Sequence, residues 1–108
     1  METIKENRLF KRLYSKGKKE VSSDLVVYFL PNKLGKNLVG FTVSKKIGKA
    51  VVRNRIRRLI KEALRKQEPC LKQGYFFVIV ARTKAAGASF GQIDASLSEV
   101  FEKADLFE

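Results

Sequence analysis

The chain predicts an α+β fold: one sheet of about four strands with three helices packed on it, in the order helix, strands, helix, strand, helix. Three observations carry that expectation. Residues 25–30 and 75–82 are apolar runs of the kind that form strands covered on both faces. Residues 52–63 and 90–104 repeat apolar side chains at helical spacing. The length, 108 residues, suits one domain with one core, residues 1–108, and there is no internal repeat or low-complexity tract.

Asn7 is placed to cap a short helix over residues 8–16, ended by Gly17. Leu9 with Leu13 and Phe10 with Tyr14 are i, i+4 pairs, so its apolar side is broad, with Lys11, Arg12 and Lys16 nearby. Phe10 and Tyr14 read two ways, as core or as a stacking platform for a single nucleic-acid strand. Val21 and Ser22 suggest a short edge strand. In residues 25–30, period two sends Leu25, Val27 and Phe29 to one face and Val26, Tyr28 and Leu30 to the other.

Pro31, Asn32, Gly35 and Asn37 punctuate a seven-residue turn, and residues 38–44 read as the returning strand. So short a loop implies an antiparallel pair. Gly48 separates this strand from a basic helix that fades near Gln67, before Pro69. Residues 75–82 form the strongest strand and should be central, and residues 83–88 read as a loop. Ser89 and Gln92 have the spacing of a capping box. Phe90, Ile93, Leu97, Val100, Phe101 and Ala104 then give the last helix one apolar face.

The net charge is +12 and unevenly spread: residues 1–66 carry nineteen basic and five acidic side chains, residues 67–108 four and six. A polyanionic partner therefore docks on the first two-thirds, and the C-terminal part is support. Residues 45–66 alone hold ten basic side chains and one acid, Glu62. Val52, Ile56, Leu59, Ile60 and Ala63 share one helical face; at about 100° per residue Asn54, Arg57, Arg58, Lys61 and Arg65 fall opposite. Arg53 and Arg55 flank the stripe on its two edges, so one of them can pair inside the domain.

A solvated basic face is the plain reading of this helix. Against it, like charges at i, i+4 repel by about 0.2–0.5 kcal/mol each, and a merely soluble helix interleaves acids. Arginine also outnumbers lysine between Arg53 and Arg58. Its planar fork suits phosphate and stacking on bases, where lysine would serve solubility as well. The partner these features fit is a polyphosphate chain.

The chemistry of bond breaking is absent. There is no histidine, and the acids are scattered; Glu99 and Glu102 are i, i+3 neighbours on a solvent face. No spacing of metal ligands occurs, and the glycine of residues 45–52 lacks the pattern of a nucleotide-binding loop. Cys70 has no base to activate it. The N-terminal residues are not a secretory signal and no apolar run reaches bilayer length, so a cytoplasmic protein without a membrane partner is expected.

Residues 39–64, VGFTVSKKIGKAVVRNRIRRLIKEAL, resemble the signature of the bacterial ribonuclease P protein subunit. Its centre is Arg53-Asn54-Arg55 near a helix start, preceded by residues 44–48 (SKKIG) and followed by Arg58, Leu59 and Ile60. Phe10 and Tyr14 before Lys16 and Gly17, Tyr28, and residues 75–82 are similar to further family features, so the resemblance spans essentially the whole chain.

The resemblance implies an RNA-binding protein subunit that assists a catalytic RNA. Together they remove the 5′ leader from precursor tRNA by magnesium-dependent hydrolysis of one phosphodiester. The RNA holds the catalytic Mg2+, bound mainly by that subunit; no organic cofactor and no catalytic or metal-ligating residue is assigned to the protein, which is expected to be inactive alone. Its partners are the RNA subunit and the precursor tRNA, with no obligate protein partner. The family fold is a two-layer α/β sandwich with a left-handed crossover, where pattern alone would give the usual right-handed one.

Two surfaces follow from the same resemblance. Lys45, Lys46, Arg53, Asn54, Arg55, Arg57, Arg58 and Lys61 would meet the RNA subunit. Phe10, Lys11, Tyr14 and Tyr28 would hold the single-stranded leader. The family commonly has phenylalanine where Tyr14 stands, and a basic N-terminal arm is reduced here to Lys5 and Arg8. Size, charge and missing chemistry also suit an rRNA-binding protein, which leaves Arg53-Asn54-Arg55 unexplained. A DNA-binding architectural protein would want a groove-entering element and usually dimer symmetry. A free-standing nuclease would need clustered carboxylates.

Overall fold

The computed structural model describes residues 1–108. Five strands form one sheet: β1 (Glu2–Thr3), β2 (Lys18–Val21), β3 (Leu25–Pro31), β4 (Leu38–Thr42) and β5 (Tyr75–Ala81). Their spatial order is β1-β4-β5-β3-β2. The helices are α1 (Asn7–Lys16), α2 (Ala50–Gln67) and α3 (Phe90–Lys103), with 3-10 turns at Lys45–Ile47, Glu68–Cys70 and Thr83–Gly87. The α+β class and the three helices are as the sequence predicts, with five strands where about four were expected.

The expected antiparallel pairing of β3 with β4 does not occur. β5 lies between them, antiparallel to β3 (Leu25↔Ala81) and parallel to β4 (Leu38↔Phe76). The most apolar strand thus has its backbone paired on both edges, away from water. The loop after β3 steps across the end of β5 instead of folding back. Asn37 fixes that step: it is buried, donates to the Lys72 carbonyl (2.9 Å) and accepts from the Tyr75 amide (2.9 Å). Loop length alone could not reveal a strand inserted from 38 residues away in sequence.

Other boundaries shift for local reasons. β1 was not expected: two exposed residues carry no pattern, and the Ile4 amide bonding the Val39 carbonyl (2.8 Å) extends its pairing with β4. β2 starts at Lys18 and stops before Ser22, a charged edge strand of the kind that resists further pairing. Asn7 is the first residue of α1 and not its cap; Glu6 holds the cap position without a side-chain bond. Residues 83–88 are mostly a 3-10 turn. The capping box at Ser89 and Gln92 forms as predicted, with both reciprocal bonds present.

Period two sorts the sheet's faces. Leu25, Val27, Phe29, Phe77 and Ile79 join the stripes of α2 and α3 in one core. Val78 faces the other way, with Ile4 and Leu13, under α1. The sheet with α2 and α3 is the sandwich, and α1 covers part of the opposite face. On α2, Ile56, Leu59, Ile60, Ala63 and Leu64 are buried, while Val52 is only partly so. Burying each Leu or Ile contributes about 1.5–3 kcal/mol. That outweighs the few tenths lost per like-charge pair on the outer face.

Polar contacts lock α3 in place. Ser96, buried on its apolar side, donates to Asp24 Oδ2 (3.0 Å), a pairing no pattern suggested. Asp94 accepts from Lys66 Nζ (2.8 Å) and Gln67 Nε2 (2.8 Å), joining α3 to α2. The Lys66 hydrogen bond holds the Asp94 carboxyl below its ordinary pKa. A depressed carboxylate contributes stability above its unfolded pKa and loses it as pH falls through the folded one. Asp94→Asn is therefore expected to cost about 0.5–1 kcal/mol at neutral pH, with the difference from the unsubstituted protein vanishing in acid. Chemical denaturation across a pH series checks both.

Candidate nucleic-acid interface

The chain enters α2 through a turn that only glycine allows. Gly48 sits at φ 154°, ψ −167°, between the Lys45–Ile47 turn and the helix. Ile47 anchors the turn in the core while Lys45 and Lys46 point to solvent. Because β4 and β5 are parallel, both strands end on the same side. The turn therefore packs beside Thr83–Gly87, which adds exposed Lys84 to that end of the molecule.

Along α2 the edge arginines part company. Arg55 Nη2 donates to the Ala88 carbonyl (3.0 Å), so part of its guanidinium is used inside the domain. Arg53 is half-buried, and its Nε is buried without a partner. Asn54 Oδ1 accepts from Arg57 Nη1 (3.0 Å). Asn54, Arg57, Arg58, Lys61, Glu62 and Arg65 line an open groove of about 360 Å3 with no apolar wall. None of these cations is ion-paired, whereas Lys66 at the helix end is held by Asp94. Lys61 Nζ lies 5.5 Å from the Phe41 ring centroid. Arg65 and Phe41 are additions to the predicted set. Arg65 was legible from the helical wheel; Phe41 depends on how α2 crosses the sheet edge.

The second surface lies on the other face of the sheet. Register aligns Tyr28, Val78 and Gly40 across β3, β5 and β4. α1 crosses this row with the half-buried Phe10 ring resting on Gly40, where any Cβ would overlap it. Tyr14 is 42% exposed, and its hydroxyl and that of Thr42 share a hydrogen bond (2.7 Å). Its ring meets Tyr28 edge-on at 5.0 Å. The three aromatics are thus brought together, with Lys11 exposed beside them. Phe10 belongs to both readings, packing on the Leu13 cluster while keeping an open edge. A glycine inside an apolar strand is a signal for close approach, so Gly40 was findable; Thr42 was not.

The fold assembles no group of three or more His, Cys, Asp or Glu. No helix is long and apolar enough to cross a membrane.

The family model described as Ribonuclease P matches residues 1–105. The Ribonuclease P protein component of Caldanaerobacter subterraneus subsp. tengcongensis is 45% identical over 105 residues, spanning 97% of this chain and 90% of that protein. The Clostridioides difficile protein of the same name is 41% identical over 104 residues, spanning 95% and 91%. Among solved structures, the Staphylococcus aureus RNase P protein superposes with a TM-score of 0.91 at 34% identity, covering 100% of this chain and 99% of that one. The Thermotoga maritima RNase P protein gives 0.83 at 25% identity, covering 92% and 94%.

Proposed function

The chain belongs to the ribonuclease P protein family, the protein component of an endoribonuclease, and from that premise we propose that it works by gripping two RNAs at once. The outer face of α2 with Lys45 and Lys46 binds the RNA subunit. The cleft of Phe10, Lys11, Tyr14 and Tyr28 binds the single-stranded 5′ leader of precursor tRNA. The observation that carries this reading is the row of cations on α2 without carboxylate partners. Such a row is a standing electrostatic cost in the free protein and is relieved when phosphates replace the condensed counterions.

The reaction is hydrolysis of one phosphodiester, releasing the leader and leaving a 5′ phosphate on the tRNA. This chain offers no histidine and no clustered carboxylates for a divalent ion. In this reading the RNA subunit holds the Mg2+, and this chain's residues bind and orient. Phosphates of the RNA subunit meet Arg57, Arg58, Lys61 and Arg65. Leader bases lie against the rings, each stack contributing about 1–3 kcal/mol with little regard to sequence. That tolerance suits leaders that differ between precursors. It also favours precursor over product, because mature tRNA has no leader. The site of action is the cytoplasm, with no organic cofactor and no obligate protein partner.

The test is leader cleavage at low magnesium by a bacterial ribonuclease P RNA, with and without this protein, beside a protein-only control. Stimulation of the RNA by a protein silent on its own is the expected result. Binding without stimulation would favour an rRNA-binding role, and cleavage by the protein alone would place the chemistry in this chain.

A further inference from the structure

α1 divides the open face of the sheet into two grooves. With Leu13 pointing down, about 100° per residue sends Phe10 and Tyr14 to one flank of the helix, Arg12 to the other, and Lys11 to the crest. On the Arg12 flank, Arg12, Pro31, Asn32, Lys33, Leu34 and Phe76 enclose a groove of about 290 Å3. Half-buried Phe76 is an apolar surface within it.

The outer wall is the loop between β3 and β4, and it is braced. Asn32 Oδ1 accepts from the Leu34 amide (2.9 Å), its Nδ2 donates to the Lys36 carbonyl (3.0 Å), and its own amide donates to the Gly74 carbonyl (2.7 Å). Gly35 closes the turn at φ 70°. The brace holds Leu34 up at the lip, 55% exposed. The loop's two lysines differ: Lys36 is held by Glu2 (2.8 Å), while Lys33 has no carboxylate partner. Arg12 has none either, and no acid lines the groove.

We propose that this groove is a second seat for single-stranded RNA, taking the 5′ continuation of the strand whose first bases lie against Phe10, Tyr14 and Tyr28. The inference rests on the proposed leader cleft and extends it. The 3′ end of a leader is tethered to the tRNA, so added nucleotides lengthen only the 5′ side. Lys11 on the crest meets the backbone where the strand crosses α1. Arg12 and Lys33 meet phosphates beyond it, and Phe76 with Leu34 gives a base an apolar seat. Charge decides the occupant: two unpaired cations around an apolar floor, with no acid, fit a nucleotide chain better than a peptide.

The experiment uses the holoenzyme assembled with a bacterial ribonuclease P RNA and precursor tRNAs whose leaders are lengthened one nucleotide at a time. The unsubstituted protein is expected to gain affinity in two stages. Arg12→Ala with Lys33→Ala should keep the first stage and lose the second, about tenfold on long leaders. On long leaders alone its salt slope should fall by about 1.4, or 0.7 for each single-strand phosphate no longer neutralised. Leu34→Ser should lose part of the second stage without changing the slope. Affinities equal to the unsubstituted protein at every length would overturn the inference. So would an equal loss on short leaders and on mature tRNA. If the unsubstituted protein fails to prefer precursor over mature tRNA, the leader cleft fails as well; if it keeps that preference and the variants change nothing, the second seat alone is wrong.

Discussion

Alanine at Arg57, Arg58 and Lys61 together is expected to lower affinity for the RNA subunit by about a hundredfold, taking about 1 kcal/mol for each charged group removed from the interface. The slope of log K against log salt should flatten by about 2–3, near 0.9 for each phosphate no longer neutralised. Apart from the Lys61–Phe41 cation–π contact, these substitutions disturb little of the fold. None of the three side chains is buried, and none holds a carboxylate; the one hydrogen bond to Asn54 from Arg57 is on the surface. Alanine also favours helix and removes like-charge repulsion, so thermal stability should hold or rise slightly. Affinity and stability therefore move in different directions. An unchanged salt slope would remove this face from the interface.

Phe10→Ala is expected to weaken binding of precursor tRNA by the holoenzyme about 5- to 150-fold while leaving mature tRNA unaffected, the equivalent of removing one base stack. Because Phe10 is half-buried on Gly40 and the Leu13 cluster, stability falls too. Phe10→Leu separates the two effects, since it keeps most of the packing volume and removes the π-face. If leucine binds precursor as phenylalanine does, or if both variants weaken mature tRNA equally, Phe10 serves the core and not the leader. Binding assays with the two RNAs, paired with thermal melts of each variant, decide this.

Much of the fold was legible because the signals are local. The 3.6-residue period of Ile56, Leu59, Ile60 and Ala63 marks a buried stripe whatever it packs on, and the same wheel locates the unpaired cations. The Ser89–Gln92 box joins neighbours in sequence, so its spacing is its geometry. The motif around Arg53-Asn54-Arg55 identified the family on similar grounds. The candidate sites were less legible. Arg53 and Arg55 are symmetric on a wheel, yet only Arg55 finds the Ala88 carbonyl, because α3 begins on that side. Phe10 and Tyr14 pointed to a platform, but their floor depends on a register that aligns Gly40 with Val78 and Tyr28.

By itself, then, the sequence determined most of the elements, the family, the basic face of α2 and the lack of histidine, all properties of composition and near-neighbour spacing. Only the tertiary structure decided the strand order, the insertion of β5 between β3 and β4, and the two-residue strand at the edge. It also decided the partner of Tyr14 in Thr42, and the division of one sheet face into two grooves by α1. Each of these joins residues far apart along the chain. Whether two strands meet depends on where a third finds the most burial for its two apolar faces, and no local period encodes that competition.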